Sequence, residues 1–296
     1  MIFKDISFLE KLVEKNDIKE AKKLIKPPKN IPLITTKKRS ALMVSGHNVK
    51  HLNKIDELPA DIVILNLEDG VPKEKKEIAK IMIAIFLSHI EKIDKEIVIR
   101  VNSLDEGGIK EIEFLDNFSF NAFRIPKVNS LEDIDNVFLK TEKDIHLSIE
   151  TKNSFFNLKE FTHPKIKAFY IGIYDLLNSL NISHSIIDIN NPLIHNILSN
   201  FSLTSHYINI TPIGFVYQHY KDLEGFINWC KLQKNLGIKG VGCITPNQCI
   251  IANSIFDENL EFAKKIVEKF EKEGPFTING LYVDEPIYKN YKQLLK

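Results

Sequence analysis

The 296-residue chain has little of several things, and each shortage excludes a class of protein. It has three cysteines, Cys230, Cys243 and Cys249, an odd number without the spacing of a metal-ligand pair. That rules against a disulfide framework or a zinc module and fits a reducing compartment. Charge of one sign is missing too. Forty Lys and Arg face 39 Asp and Glu, for a formal charge of +1, and no basic run is interleaved with aromatic residues. Nucleic acid and anionic membrane surfaces are therefore not expected partners. No apolar run is long enough to span a bilayer. Residues 78–90 form the greasiest stretch, but Lys80 and His89 interrupt it, and it falls short of the ~20 residues a span needs. Lys4, Asp5, Glu10, Lys11 and Glu14 break any signal-peptide core, so the expectation is a cytoplasmic protein. The first strand also lacks the glycine-rich turn of a dinucleotide fold, since Ser45-Gly46-His47 follows it.

What is present is a rhythm. Ile62 to Leu67 is a near-continuous apolar run that ends abruptly in Glu68-Asp69-Gly70, with Pro72 opening a helix. Such a run reads as a strand buried on both faces of a parallel sheet. Similar short apolar segments recur near residues 40–44, 96–101, 122–126, 144–149, 168–171, 209–216 and 240–244, most of them separated by helical stretches. Eight strands with helical crossovers predict an α/β fold, a (β/α)8 TIM barrel. Residues 1–30 read as a helical extension of two short amphipathic helices ending at Pro27-Pro28. Residues 31–258 are the barrel. Residues 259–296 are a C-terminal helical tail expected to cover the barrel mouth or pack on a neighbouring subunit. Within that tail, residues 280–286 read as a turn segment.

Polar residues recur where strands end: Glu68, Asp69, Arg100, Lys127, Glu150, Asp175 and Gln248. In a barrel these positions converge on one mouth, where the chemistry of this fold is found. Glu150 and Asp175, on neighbouring strands, suit an octahedral Mg²⁺ that keeps waters and leaves room for substrate oxygens. Arg100 offers a fixed fork for a carboxylate or an enolate oxygen. Each also has a plainer reading. Asp175 preceding Leu176-Leu177 is as readily a helix N-cap, Arg100 an ion-pair partner of Glu68, and Lys127 a solvated loop lysine. His146 reads as an ordinary helix or loop residue and Cys243 as core.

Taken together, the motifs resemble the citrate lyase β-subunit-like proteins of the HpcH/HpaI aldolase superfamily. The resemblance runs over Arg39-Ser40-Ala41-Leu42, Gly46, Leu67-Glu68-Asp69, Arg100-Val101-Asn102, Pro126-Lys127-Val128, Glu150-Thr151, Gly172 with Asp175-Leu176, Asp222 with Gly225, Pro246 with Gln248, and Val283-Asp284 with Pro286. It implies a Mg²⁺-dependent carbon–carbon lyase that cleaves or forms a citryl- or malyl-CoA-like thioester through an enolate. Its partners would be a 2-oxo acid and an acyl-CoA, in a homotrimer or hexamer. It implies that Glu150 and Asp175 hold the metal and that Arg100 contacts substrate. Glu68 would support the metal waters and Arg100, Arg39 would face substrate or the CoA phosphates, Lys127 would face substrate, and Asp284 would act as acid or base at a neighbouring mouth. The chain departs from the family pattern at Asn66 in place of Asp, Ser45-Gly46 in place of Pro-Gly, and Thr245 in place of His. Two other readings stand beside this one: a CoA-independent metal-dependent aldolase acting on 2-oxo acids, and a non-catalytic binding subunit.

Overall fold

A computed structural model describes residue 3 and residues 5–295. Eight parallel strands close into a barrel: β1 (Ser40–Ser45), β2 (Ile62–Asn66), β3 (Glu96–Arg100), β4 (Ala122–Ile125), β5 (Asp144–Ile149), β6 (Ile166–Ile171), β7 (Thr211–Gly214) and β8 (Gly240–Cys243), with β8 pairing back on β1. The expected (β/α)8 architecture is the one observed.

The strands form where they do because their apolar residues serve two cores at once. In β2, Val63 and Leu65 join the layer between barrel and helices, while Ile62 and Ile64 point into the barrel. The inner layer is built mainly from Ala41, Ile62, Ile64, Val98, Ala122, Ala168 and Ile213. Its three alanines leave room for one large ring, Tyr170, and for long polar side chains entering from β4 and β5. On the outside, the helix Lys76–His89 carries ten buried residues, which explains its nearly unbroken apolar sequence.

Two N-terminal helices, Ile6–Lys15 and Ile18–Lys22, are capped by the Asp5 and Asp17 carboxylates. They bury Leu9, Leu12, Val13 and Ala21 against the barrel's outer core. After β1 the crossover is a single helical turn, Val49–Leu52, followed by a 3-10 turn, Ile55–Glu57. The strand expected over 209–216 is shortened to Thr211–Gly214. Pro212, lacking an N–H, and the turn residue Asn209 at φ 59° leave little of that segment able to pair.

The chain divides into two compact units, residues 1–256 and 257–296. The second pairs a helix, Leu260–Glu273, with a last helix, Glu285–Leu294, and Phe270 stacks on Tyr288 at 4.5 Å. Between them lies a hairpin, β9 (Phe276–Ile278) with β10 (Leu281–Val283), where only a turn is expected from the sequence. Its two-residue loop is Asn279-Gly280, at φ 48° and 80°, the positive-φ pair that fits the twist of a tight hairpin.

Candidate active site at the carboxyl end of the barrel

The geometry starts at Asn66. Its amide donates to the Asp69 carbonyl, and its side-chain oxygen accepts from the Glu68 N–H at 3.2 Å. An aspartate could make only the second contact. Asn66 thus pins the loop that turns the Glu68 carboxylate inward, where only 1% of the residue is exposed. Arg100, the last residue of β3, is 8% exposed and pairs with Glu68 through one terminal nitrogen, which also lies 3.6 Å from Asp69 and 4.0 Å from Glu150.

Lys127 follows β4 in a left-handed conformation, φ 56°, which turns its side chain back over the mouth. Its ammonium is 3.0 Å from Glu68 Oε1, and its backbone N–H donates to Glu150 Oε1 at 2.8 Å. Lys127 is thus exposed, as in the plainer reading, and its ammonium is also paired with buried Glu68. Burial pushes Glu68 upward, but Arg100, the Asp69 amide and Lys127 together outweigh it and hold the carboxyl below its usual range. Burial and the Glu68 charge push Asp69 up. Glu150 is 3% exposed, and its burial outweighs Arg100 and Arg124, so its carboxyl lies above the usual range.

Satisfaction is incomplete. Buried Glu68 Oε1 has Lys127 near but no aligned donor, and buried Arg100 Nε has no acceptor. A closed structural ion pair leaves no such valences.

Glu150 packs against the end of β6. A Cβ added at Gly172 would stand 2.8 Å from Glu150 Oε2, so this approach requires glycine. Gly172 caps the helix Ile173–Ser179, and Asp175 lies in its first turn, exposed. The N-cap role is taken by Gly172, not Asp175, and no protein hydrogen bond occupies the Asp175 carboxylate. Glu150 thus follows the end of β5 and Asp175 lies in the first helical turn after β6, one buried and one open. No cluster of three or more metal-type side chains occurs among the described residues. Two carboxylates fit Mg²⁺, which binds through one or two carboxylates and completes its shell with water and substrate.

The structure corrects Arg39. Its guanidinium grips Asp61 at 2.8 and 2.9 Å, and its N–H donates to the same carboxylate at 3.0 Å. Both residues immediately precede strands, so they lie at the amino end of the barrel, opposite the mouth. There Arg39 ties β1 to β2 and does not face substrate. Gln248 is also structural, accepting from Ile244 N–H at 2.7 Å and donating to the Tyr217 carbonyl. Asp284 caps the last helix, accepting from Ile287 N–H at 3.3 Å, within the second unit.

Two polar residues inside the barrel escaped the sequence reading. His146, no loop residue, lies within β5, 3.3 Å from Tyr170 and 3.7 Å from Glu96. Arg124 lies within β4, with Nε donating to Ser148 Oγ at 2.9 Å. The available signal was parity: Arg124 is the one polar residue of β4, and on β5 Asp144, His146 and Ser148 alternate with buried apolar residues.

A family model, HpcH/HpaI aldolase/citrate lyase, matches residues 39–246. The chain belongs to this family of carbon–carbon lyases. It is 26% identical over 257 residues to a (3S)-malyl-CoA thioesterase of Cereibacter sphaeroides, covering 83% of this chain and 89% of the relative. It is 26% identical over 284 residues to the citrate lyase subunit beta of Haemophilus influenzae, covering 88% and 96%. Among solved structures, CitE from Mycobacterium tuberculosis in complex with magnesium, acetoacetate and coenzyme A superposes with a TM-score of 0.69. It is 19% identical and covers 86% of this chain and 96% of that one. That likeness carries the fold.

Among the described residues no helix is long and apolar enough to cross a membrane. From Glu68 and Asp69 a cleft of about 970 Å³ runs outward past Lys73, Lys76 and Lys110.

Proposed function

We propose that the chain is a Mg²⁺-dependent lyase that cleaves, or in reverse forms, a 3-hydroxyacyl-CoA of the citryl- or malyl-CoA type. The observation that supports this most is the buried cluster of Glu68, Arg100 and Glu150, covered by exposed Lys127, with unmatched valences at the mouth. Relatives named for malyl-CoA, citrate and citramalyl-CoA chemistry add the substrate class.

Glu150 and Asp175 hold the cation, with Glu68 held ionised beside them. The bound cation supplies Lewis-acid polarisation of the 2-oxo acid's oxygens. Arg100, fixed by Glu68, donates to the thioester oxygen that becomes an enolate oxygen as the carbon–carbon bond breaks. Lys127 adds positive charge from the open side. Asp284, brought by a neighbouring copy in a trimer or hexamer, moves the proton. The cleft beyond Glu68 lies within the ~300–1,000 Å³ range of ligand pockets and gives a thioester arm its exit.

A second reading, an aldolase of free 2-oxo acids that ignores CoA, is favoured by Thr245 standing where the family has histidine. Thermal unfolding with Mg²⁺ and a panel of glyoxylate, pyruvate and oxaloacetate, beside Asp175→Asn, tests the shared core of both. A ligand at ~100 times its Kd adds ~2.7 kcal/mol of stability. A rise that needs both Mg²⁺ and one oxo acid, and is lost in Asp175→Asn, supports the site. No shift with any pair would sink it in favour of a binding subunit. Turnover of malyl- or citryl-CoA then separates the first reading from the second.

A further inference from the structure

The barrel holds a cation that this chemistry has not used. Arg124 is the penultimate residue of β4, beside Arg100 in the strand register, and is 6% exposed. Its guanidinium lies 4.1 Å over the ring of Tyr170, and Nε is fixed by Ser148 Oγ at 2.9 Å. Both supports are themselves buried. Burial lowers its pKa to about 10, so it remains charged at neutral pH.

No carboxylate pairs with it. Glu68 is engaged by Arg100 and Lys127, and Glu150 accepts from the Lys127 N–H; both act on Arg124 only from further away. The two terminal nitrogens of Arg124 carry no hydrogen bond. Neither belongs to the sealed, unpartnered atoms, which are Thr36 Oγ1, Glu68 Oε1 and Arg100 Nε. Toward the amino end the barrel is filled by buried His146, the register partner of Arg124, and by Ala122, Ala168 and Ile213, while the carboxylates that act on Arg124, Glu150 and Glu68, stand at the mouth, so the opening these nitrogens face is the mouth. An isolated buried charge is unfavourable unless something pairs with it. A cation on Glu150 takes up that carboxylate's charge and leaves Arg124 still less compensated.

We propose that Arg124 is a substrate-binding residue whose two free N–H ends take the carboxylate of the 2-oxo acid at the floor of the mouth, with Ser148 and Tyr170 as its positioning residues. A planar two-oxygen group matches the guanidinium fork. The choice of a 2-oxo acid rests on the function proposed above; the anion site itself rests on Arg124 alone.

The test is calorimetric titration of the full chain with pyruvate in MgCl₂, and with acetate in the absence of divalent metal. It compares the wild type with Arg124→Met and Arg124→Lys. Pyruvate Kd is expected to weaken at least tenfold in Arg124→Met and to recover in part in Arg124→Lys, with Mg²⁺ affinity unchanged within twofold. Unchanged pyruvate affinity in folded Arg124→Met makes Arg124 a structural cation and overturns the proposal. If the methionine variant does not fold, Arg124→Lys keeps the charge and loses the fork, and unchanged affinity there overturns it equally. Arg124-dependent acetate binding alongside pyruvate binding that ignores Mg²⁺ supports the anion site and defeats the metal reading. A wild type that takes neither acid defeats both.

Discussion

The two ends of the barrel carry the same kinds of charged residue and use them differently. At the amino end Lys38 sits 2.5 and 2.7 Å from the two oxygens of Glu96, Arg39 grips Asp61 through two nitrogens and its backbone, and His146 stands 3.7 Å from Glu96. Glu96 and Asp61 each have a matched cation there. At the carboxyl end four carboxylates, Glu68, Asp69, Glu150 and Asp175, meet Arg100, Lys127 and Arg124 in an arrangement that leaves donors and acceptors open. A closed set of pairs spends its electrostatics on holding strands together. An open set keeps them for a ligand. The comparison teaches that the sign of a function is open charged donors and acceptors, which Glu68 and Arg100 keep and the pairs at the amino end do not, rather than the presence of charge.

The sharpest way to break this contrast is to remove one arginine from each end. Losing a donor aimed at developing charge typically costs ~100-fold or more in kcat, so Arg100→Ala should lose at least that with its fold intact. Arg39→Ala should keep kcat within about twofold and lose thermal stability instead, because its guanidinium ties β1 to β2 at the end of the barrel away from the mouth. Comparable losses of turnover in both variants would erase the distinction between the ends.

A somewhat smaller effect is expected from Glu96→Gln. It strands Lys38 beside the buried start of β3 and should destabilise by about 3 kcal/mol, the lower range for breaking a buried pair. At ~2–4 °C per kcal/mol for slightly smaller domains, the melting temperature should fall by roughly 6–12 °C, with turnover little changed.

Glu150→Gln should act in the opposite direction. The ionised Glu150 is disfavoured by its burial, and glutamine can still accept from the Lys127 N–H. Without divalent metal at neutral pH the variant should be more stable by about 0.5–2 kcal/mol, as when functional strain is relieved, and should not turn over substrate. Differential scanning calorimetry in EDTA reads the first outcome, and a fall in stability would count against a site held under electrostatic strain.

The smallest effect concerns pH. Burial, then Lys38 and Arg124, holds His146 well below its ordinary pKa of 6.5. In the pH window below about 6.5 the unfolded chain takes up a proton that the folded one refuses, so stability falls as pH falls through it. His146→Asn should flatten that part of the melting-temperature profile between pH 6.5 and 5. An unaltered slope would place the titration elsewhere, on His47 or His89, which are lowered as well.

The barrel itself was legible because period and burial agree. A strand such as β2, buried on all five residues, is apolar up to its last residue, Asn66, and a helical crossover follows it. The site carboxylates were legible because they sit where such runs stop. Glu68, Arg100, Lys127 and Glu150 all fall at strand ends in the sequence, and they converge in space. The tail hairpin was legible in principle, since Asn279-Gly280 is flanked by strand-forming residues, but it is only three residues long on each side. Other features have no linear signature. Arg39 and Arg100 both border apolar strands, and only the direction of each strand tells which end of the barrel they occupy. Asn66 looks like the loss of a carboxylate until its amide is seen holding the Asp69 carbonyl.

The sequence by itself therefore determined the fold class, the family and which residues stand at strand ends, because periodicity and turn chemistry are local properties of the chain. Only the tertiary structure decided which charges are matched, which stay open, and that Arg124 and His146 lie inside the barrel. Those depend on which strands become neighbours and how deeply each side chain is buried when the sheet closes.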